Sequence, residues 1–463
     1  MARLNDSGYR AALAVVQRLQ REGFQAVLAG GCVRDLLLGV PSKDFDVATS
    51  ARPEQVQPLF ARTATVGAHF GVVQVYDDVD GERVQTEVAT FRHDVGYSDG
   101  RRPSEVRYSM TAEEDVARRD FTINGLLLDV MRFEAGEPVE ACVLDYCKGI
   151  ADLRAGVVRA IGDPVQRFEE DKLRLLRAVR FAARFAFAIE PRTFAAMQAE
   201  AANIEIVSKE RICTELTRIL TQGQARRGLE LLDESLLLQH VLPEVAAMHG
   251  VAQPPQFHPE GDVWVHTLML LEHLPAHASA TLAWGMLLHD VGKPVTFTPP
   301  DPAKPGDRIR FNGHAERGVE IAREICNRLR MSNEEKEQIL ALVKHHMQFG
   351  DVEKMKASTL KRFLRLPHFD EHLALHYADA TSSHGAMGAY EYAKQHFEQS
   401  EEKELRPTLL IGGAELIAMG MKPGPQFSRI LVAAEDAQLE GRFSTREEAI
   451  EWVREHFSSG ETA

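Results

Sequence analysis

The sequence predicts an α+β protein, a small mixed head followed by a long, almost wholly helical remainder. Two observations carry this. Short β-like runs separated by turns (26–29, 44–48, 72–76 and 84–90) are confined to the first quarter of the chain, whereas beyond residue 163 apolar residues recur at helical spacing, punctuated by Pro and Gly. The 463 residues set an expectation of two to four domains, and 44% apolar with 26% charged content is ordinary for a folded globular chain.

Taken in order, residues 7–22 carry Ala11, Leu13, Val16 and Leu19 at near-helical spacing and read as an amphipathic helix. A helix over 33–38 separates the first two strands, and the head closes near residue 135. Helices follow over 167–187, 191–200, 208–222, 226–238, 266–274, 315–330, 334–347 and 370–384. The segment 303–310, rich in Pro, Gly and charge, is a loop, and Pro407 with Gly412-Gly413 introduces a small helical tail. The expected domains are a head (1–135), a helical neck and body (136–240), a histidine-rich helical domain (241–390) and a helical tail (391–463).

Composition excludes several classes. No run approaches the roughly 18 apolar residues a membrane span needs, and the N-terminus lacks an apolar signal core, so a cytoplasmic protein without a membrane partner is expected. Five scattered cysteines form neither a zinc pattern nor a disulfide framework. The net charge of −14 speaks against broad nucleic-acid binding, but Arg is clustered at Arg101/Arg102, Arg118/Arg119 and from Arg167 to Arg184, which suits local phosphate contacts.

The strongest chemical signal in the head is Gly30-Gly31-Cys-Val-Arg34-Asp35, followed by Asp44-Phe-Asp46. Two glycines between a strand and a helix let backbone amides approach a polyphosphate closely. Carboxylates at i and i+2 on a strand share a face, the arrangement that holds Mg²⁺ against a triphosphate and an attacking hydroxyl. Alone, each fragment is a turn or a strand end; the strand–turn–helix–strand order joins them. Arg118-Arg119-Asp120-Phe-Thr-Ile-Asn124 adds guanidiniums for triphosphate oxygens and Asp and Asn for ribose hydroxyls.

Along 169–184, Arg174, Arg177, Arg180 and Arg184 fall on one helical stripe, with Asp171 one turn before Arg174 and able to pair with it. A salt-bridged surface helix would look the same. The functional alternative has chemical content, because a carboxylate accepts and a guanidinium donates. Together they complement an exocyclic amino group beside an unprotonated ring nitrogen, present in adenine and cytosine and absent from guanine and uracil. Asp171 with Arg174 would then admit ATP and CTP without a template.

In this order, GGCVRD…DFD, RRDFTIN, D-x3-G-x2-DL (from Asp145) and EED-x2-R-x2-R-x2-RF resemble the class II tRNA nucleotidyltransferase and bacterial poly(A) polymerase family over about residues 25–220, including Ser208-Lys-Glu210-Arg211 and Glu215. The resemblance implies a polymerase-β-like nucleotidyltransferase head, a helical neck that reads the base, and body and tail parts that hold tRNA. By motif position it makes Asp44 and Asp46 catalytic Mg²⁺ ligands. Gly30, Gly31, Arg34, Asp35, Arg119, Asp120, Asn124, Asp171, Arg174, Arg177 and Arg180 become the nucleotide-binding set. Cys32 and Gly125 stand where the family more often has Ala. No basic Gly-Arg-Arg-Phe block like that of the poly(A) polymerases follows the RF helix. The segment Phe91-Arg92…Tyr97-Ser-Asp99-Gly100-Arg101-Arg102-Pro103 is similar to the flexible loop of enzymes that add the terminal A after two Cs, which favours complete CCA addition over CC-only addition and leaves poly(A) synthesis and A-only addition as the alternatives.

Twelve of the 18 histidines lie between His258 and His384. The series His266, His289-Asp290, His314, His345-His346, Asp379 resembles the HD phosphohydrolase domain. Imidazoles with a bridging carboxylate suit a pair of divalent transition ions (Mn, Fe, Ni, Co or Zn) that generates hydroxide near neutral pH. The expected ligands are His266, His289, Asp290 and Asp379 at one site and His314 with His346 at a second, Asp290 bridging; consecutive helical residues diverge by about 100°, so His345 and His346 need not both face the metal. A phosphohydrolase whose head only binds nucleotide is the reading from another class, and the intact Asp44/Asp46 pair counts against it.

Overall fold

The computed structural model describes residues 6–42, 44–66, 71–97, 103–256, 258–259, 261–383 and 385–457. The chain divides into two compact units, Met1–Pro243 and Glu244–Ala463.

The first unit opens with helix α1 (Ser7–Arg21), capped by Asp6, whose carboxylate accepts the Gly8 N–H at 2.8 Å. Its apolar stripe buries Tyr9, Ala12, Val16 and Leu19. Then come β1 (Ala26–Ala29), helix α2 (Gly31–Leu37), β2 (Asp46–Thr49), β3 (Thr63–Val66), β4 (Val72–Val79), β5 (Glu82–Thr90), the β6–β7 hairpin (Arg92–Tyr97 and Pro103–Tyr108), β8 (Leu127–Leu128) and β9 (Val143–Leu144). Seven strands form one sheet in the order β3-β4-β5-β2-β1-β8-β9. β2 and β5 run parallel, and the other neighbours are antiparallel. Val27, Ala29, Ala48, Phe91 and Leu127 form a buried cluster, so the middle strands are apolar on both faces rather than alternating.

Three features differ from the sequence expectation. The second strand starts at Asp46, which leaves Asp44 in the preceding loop instead of on a strand. β3, the hairpin, β8 and β9 carry too few residues or too little alternation to register as periodic runs. The expected helix over 167–187 is two helices, Pro164–Glu170 and the neck helix Arg174–Phe185, broken at Asp171 in extended conformation. The hairpin occupies part of the loop expected over 91–103, and 98–102 lie outside the described residues.

The second unit is helical. Val263–Leu271 and Ala280–Leu288 are buried nearly all round, which is why periodicity missed the second of them. His314–Arg328, Asn333–His345 and Phe369–Ser382 surround them, the second starting at a Ser332/Glu335 capping box. The tail helices Gly413–Ala418, Pro425–Leu439 and Arg446–His456 close over their own cluster of Leu416, Ile430, Ala434, Phe443 and Val453. Among the described residues, no helix is long and apolar enough to cross a membrane.

Candidate nucleotide-binding and metal sites

In the first unit the register places Asp46 opposite Ala29, the residue before the Gly30-Gly31 turn. Gly30 has φ +74, a conformation that favours glycine, and a side chain there would approach the Arg119 guanidinium to 3.1 Å. On the other side β2 and β5 pair Val47 with Val88, bringing Glu87 beside Asp46. Asp46 is exposed at the start of β2, yet its carboxyl is pushed up to about 6, first by desolvation against the surrounding protein and then by Glu87 and Asp44, with Arg119 opposing. Asp46 thus has two other carboxylates, Glu87 and Asp44, within electrostatic reach, and oxygen donors of this kind suit a hard divalent cation. Glu87 is a member that the sequence reading missed; only the β2/β5 pairing reveals it.

Arg119 is held in place by Asp115, which accepts from it at 2.9 Å and from Arg118 at 2.5 Å. Arg34 and Asp35 turn inward. Arg34 donates to Asp35 at 2.6 and 2.8 Å and to the Asn124 side chain, and lies over the Phe181 and Phe185 rings. Asp35 also meets Arg184 at 3.4 Å. Asp120 accepts from Asn124 at 3.0 Å and from Arg177 at 2.5 and 2.8 Å; burial opposes ionisation, but Arg177 holds its carboxyl well below the usual range. The GGCVRD and RRDFTIN segments are therefore joined to the neck helix by one buried polar network.

Every guanidinium of the stripe has a carboxylate: Arg174 with Glu170, Arg177 with Asp120, Arg180 with Glu215 and Arg184 with Asp35. The expected Asp171–Arg174 side-chain pair does not form. Asp171 sits at the helix break, where one oxygen accepts the Leu173 N–H at 3.0 Å and the other the Arg211 guanidinium at 2.8 Å. Arg174 donates instead to Glu170 at 2.6 Å and to the carbonyls of Arg167 and Arg118 at 2.9 and 2.8 Å. A carboxylate interrupts a helix by bonding nearby backbone N–H groups, and that preference ends the first helix here. Asp171 and Arg174 remain three residues apart, each oriented by other groups.

In the second unit the predicted ligands form two groups of three, His266, His289 and Asp379, and Asp290, His314 and His346; within each, donor atoms lie within 4.8 Å of one another. One oxygen of Asp290 stands 3.6 Å from His314 Nε2 and 3.8 Å from His346 Nε2. The other stands 3.2 Å from His289 Nε2 and 3.9 Å from His266 Nε2, so the carboxylate faces both groups. His266 Nε2 is 3.1 Å from Asp379. His345 faces away, toward His372. Three ligand rings are tethered the same way: Nδ1 of His289, His314 and His346 each meets the carbonyl three residues earlier, those of Met286, Phe311 and Val343, at 2.9, 2.9 and 2.7 Å. These tethers leave Nε2 as the nitrogen presented to the centre. His289 Nε2 is buried without a hydrogen bond, the state of a ligand atom. Gly292 lies against the His314 backbone, where any side chain would collide. Lys293, also absent from the sequence reading, is buried 2.6 Å from Asp290 and 2.7 Å from Gln253. Four imidazoles and two carboxylates fit a transition-metal centre.

Residues 26–159 match the family described as poly A polymerase head domain, 186–248 that described as probable RNA and SrmB-binding site of polymerase A, and 262–383 the HD domain. Both the nucleotidyltransferase and HD families imply divalent metals. The CCA-adding enzyme of Latilactobacillus sakei subsp. sakei is 37% identical over 285 residues, covering 60% of this chain and 68% of its own. That of Streptococcus mutans is 29% identical over 444 residues, covering 96% of each. Several other CCA-adding enzymes match at 38 to 41%, with the chain spanning only 54 to 57% of their lengths. The Bacillus stearothermophilus CCA-adding enzyme solved in complex with CTP superposes with a TM-score of 0.72 at 25% identity, over 97% of this chain and 98% of its own.

Proposed function

The chain belongs to the CCA-adding enzyme family, and from that premise we propose that it adds CMP, CMP and AMP to the 3′ end of tRNA, using CTP and ATP and no nucleic-acid template. The observation that carries the reading is the pairing of Asp46 with Ala29 beside the Gly30-Gly31 turn, with Glu87, Asp44 and Arg119 all in electrostatic reach of its carboxyl. Asp44 and Asp46 would hold Mg²⁺, which when bound offsets triphosphate charge and favours ionisation of the RNA 3′-hydroxyl. The hydroxyl attacks the α-phosphorus and pyrophosphate leaves in line, with positioning as the main contribution of the protein. The Gly30-Gly31 backbone admits the triphosphate, and Arg119, fixed by Asp115, donates to its oxygens. Asp171 accepts from the exocyclic amino group of cytosine or adenine, while Arg174 donates to the adjacent ring nitrogen. Arg177 holds the reading helix on the head through Asp120, and Arg180 ties it to the helix Lys209–Thr221 through Glu215.

The second unit adds a phosphoester hydrolase. His266, His289 and Asp379 would hold one transition ion and His314 with His346 another, Asp290 bridging; when bound, these ions supply a hydroxide nucleophile near neutral pH. The fitting substrates are cyclic phosphates or damaged ends at an RNA 3′ terminus. One experiment tests the main reading: incubation with tRNA lacking CCA and each labelled nucleoside triphosphate, followed by product sequencing. CCA on every product is the expected result; a run of A on any RNA would replace this reading with poly(A) synthesis.

A further inference from the structure

Between the two head carboxylates stands Phe45, whose packing reaches outside the matched head segment. Its ring meets Tyr9 edge-to-face, with centroids 5.6 Å apart and planes at 72°. It also lies against the bare backbone of Gly8, where a Cβ would come within 3.3 Å of it. Both contacts belong to the first turn of α1, fixed by the Asp6 cap. Tyr9 is 2% exposed, and its hydroxyl donates to Glu134 at 2.6 Å, anchoring the ring to the helix Val130–Glu134 that follows β8. The aspartate-bearing loop is thus clamped from α1, and α1 is tied in turn to the helix Val130–Glu134.

We propose that Tyr9 is a positioning residue for the head metal site, acting through Phe45 to set the spacing of the Asp44 and Asp46 carboxylates. The loop holding Asp44 precedes the strand, so sheet hydrogen bonds fix Asp46 but not Asp44. An aromatic anchor on the residue between them supplies the missing constraint. Divalent cations are sensitive to ligand spacing, Mg²⁺ most of all because it demands near-octahedral geometry. Loss of the anchor therefore weakens metal-dependent binding first and metal-free binding little.

This inference rests on the nucleotidyltransferase reading of the head. The test measures equilibrium binding of an α,β-methylene analogue of CTP to the full-length protein, with and without Mg²⁺, so that no turnover is involved. Tyr9→Ala and Phe45→Ala should each reduce the Mg²⁺-dependent gain in affinity by about 2- to 10-fold, the range an aromatic pair supports, with metal-free affinity within about twofold of wild type. Tyr9→Phe keeps the edge contact with Phe45 and gives up only the Glu134 hydrogen bond, so it should retain most of the gain. The double variant should be no worse than Phe45→Ala alone, because Tyr9 acts through Phe45. Should Tyr9→Ala fail to fold, Tyr9→Leu fills the space without the edge contact and should show the same loss. Equal losses with and without Mg²⁺, or additive effects of the two changes, overturn the proposal. Asp46→Asn serves as the control: an undiminished Mg²⁺ gain in that variant refutes the head site itself, whereas an undiminished gain in Tyr9→Ala alone refutes only the clamp.

Discussion

Removing the Glu215 carboxylate should destabilise the first unit sharply. Glu215 is 3% exposed and its partner Arg180 is 6% exposed, with Nε donating to Oε2 at 2.6 Å. A second guanidinium, that of Arg218, reaches the other oxygen at 3.3 Å. Glu215→Ala leaves the Arg180 charge buried with only the Phe181 ring beneath it, at 4.2 Å. Breaking a pair this enclosed by removing one partner costs about 3–5 kcal/mol. A unit spanning Met1–Pro243 gains roughly 0.5 kcal/mol/K of unfolding entropy, so its melting temperature should fall by about 6–10 °C. Replacing both residues, Arg180→Met with Glu215→Leu, removes the buried charge and should recover most of that loss. Differential scanning calorimetry on the full chain reads all three proteins. A drop below about 2 °C in Glu215→Ala, or a double variant no better than the single one, would refute the claim that the cost comes from leaving the Arg180 charge buried and unpaired.

Four further outcomes follow from the site geometry. Asp44→Asn and Asp46→Asn should each lower nucleotide incorporation by on the order of 10³-fold with melting unchanged, measured with a tRNA primer; near-normal incorporation by both would end the mechanism. Asp171→Ala should relax the preference for CTP and ATP over UTP and GTP by about 5- to 150-fold, and Arg211→Ala should act in the same direction but less, read from single-turnover rates with each nucleotide. His289→Ala combined with Asp290→Ala should abolish transition-metal binding and phosphoester hydrolysis and leave nucleotide addition intact, scored by metal analysis and two activity assays on one preparation. The buried His372 ring is pushed down to about 4 by burial, with His345 and His368 adding to it. The unfolded chain then binds the proton more readily than the folded one, so the second unit should be at full stability above about pH 6.5 and lose it as pH falls toward 4. In His372→Leu that slope should flatten; an unchanged profile would remove His372 as its source.

How much of this was legible in the sequence differs from motif to motif. The histidine cluster was legible because metal chemistry repeats residue types at wide, ordered spacings, and His266, His289 and Asp379, and Asp290, His314 and His346, come together in two groups of three. His346 was separable from His345 because successive helical positions point in different directions. Asp171 was misread in its local structure: neither Pro nor Gly marks the break, and its own side chain makes it by accepting the Leu173 N–H. Glu87 and Lys293 stayed hidden for a different reason. Each is an unremarkable charge until strand pairing or burial brings it to a site, and strand register is a long-range property. The same holds for Glu215, whose partner lies 35 residues away. The strands β3, β8 and β9 carry too few residues for a period of two to show.

The tethering of three histidine rings to their own helices has a consequence for how this chain meets its metals. In small zinc modules the ion is the keystone, and the polypeptide collapses when it is withdrawn. Here each of the three rings is fixed by a carbonyl one turn back, and Trp284, Leu288, Ile325 and Leu342 are buried in the same unit, an apolar core of its own. Folding comes first and loading second. A receptacle built this way is set by the helices themselves, so stripping the preparation with a chelator should leave its melting temperature near that of the untreated protein. If the second unit hydrolyses phosphoesters as proposed, metal supply should then govern its activity and not the amount of folded protein.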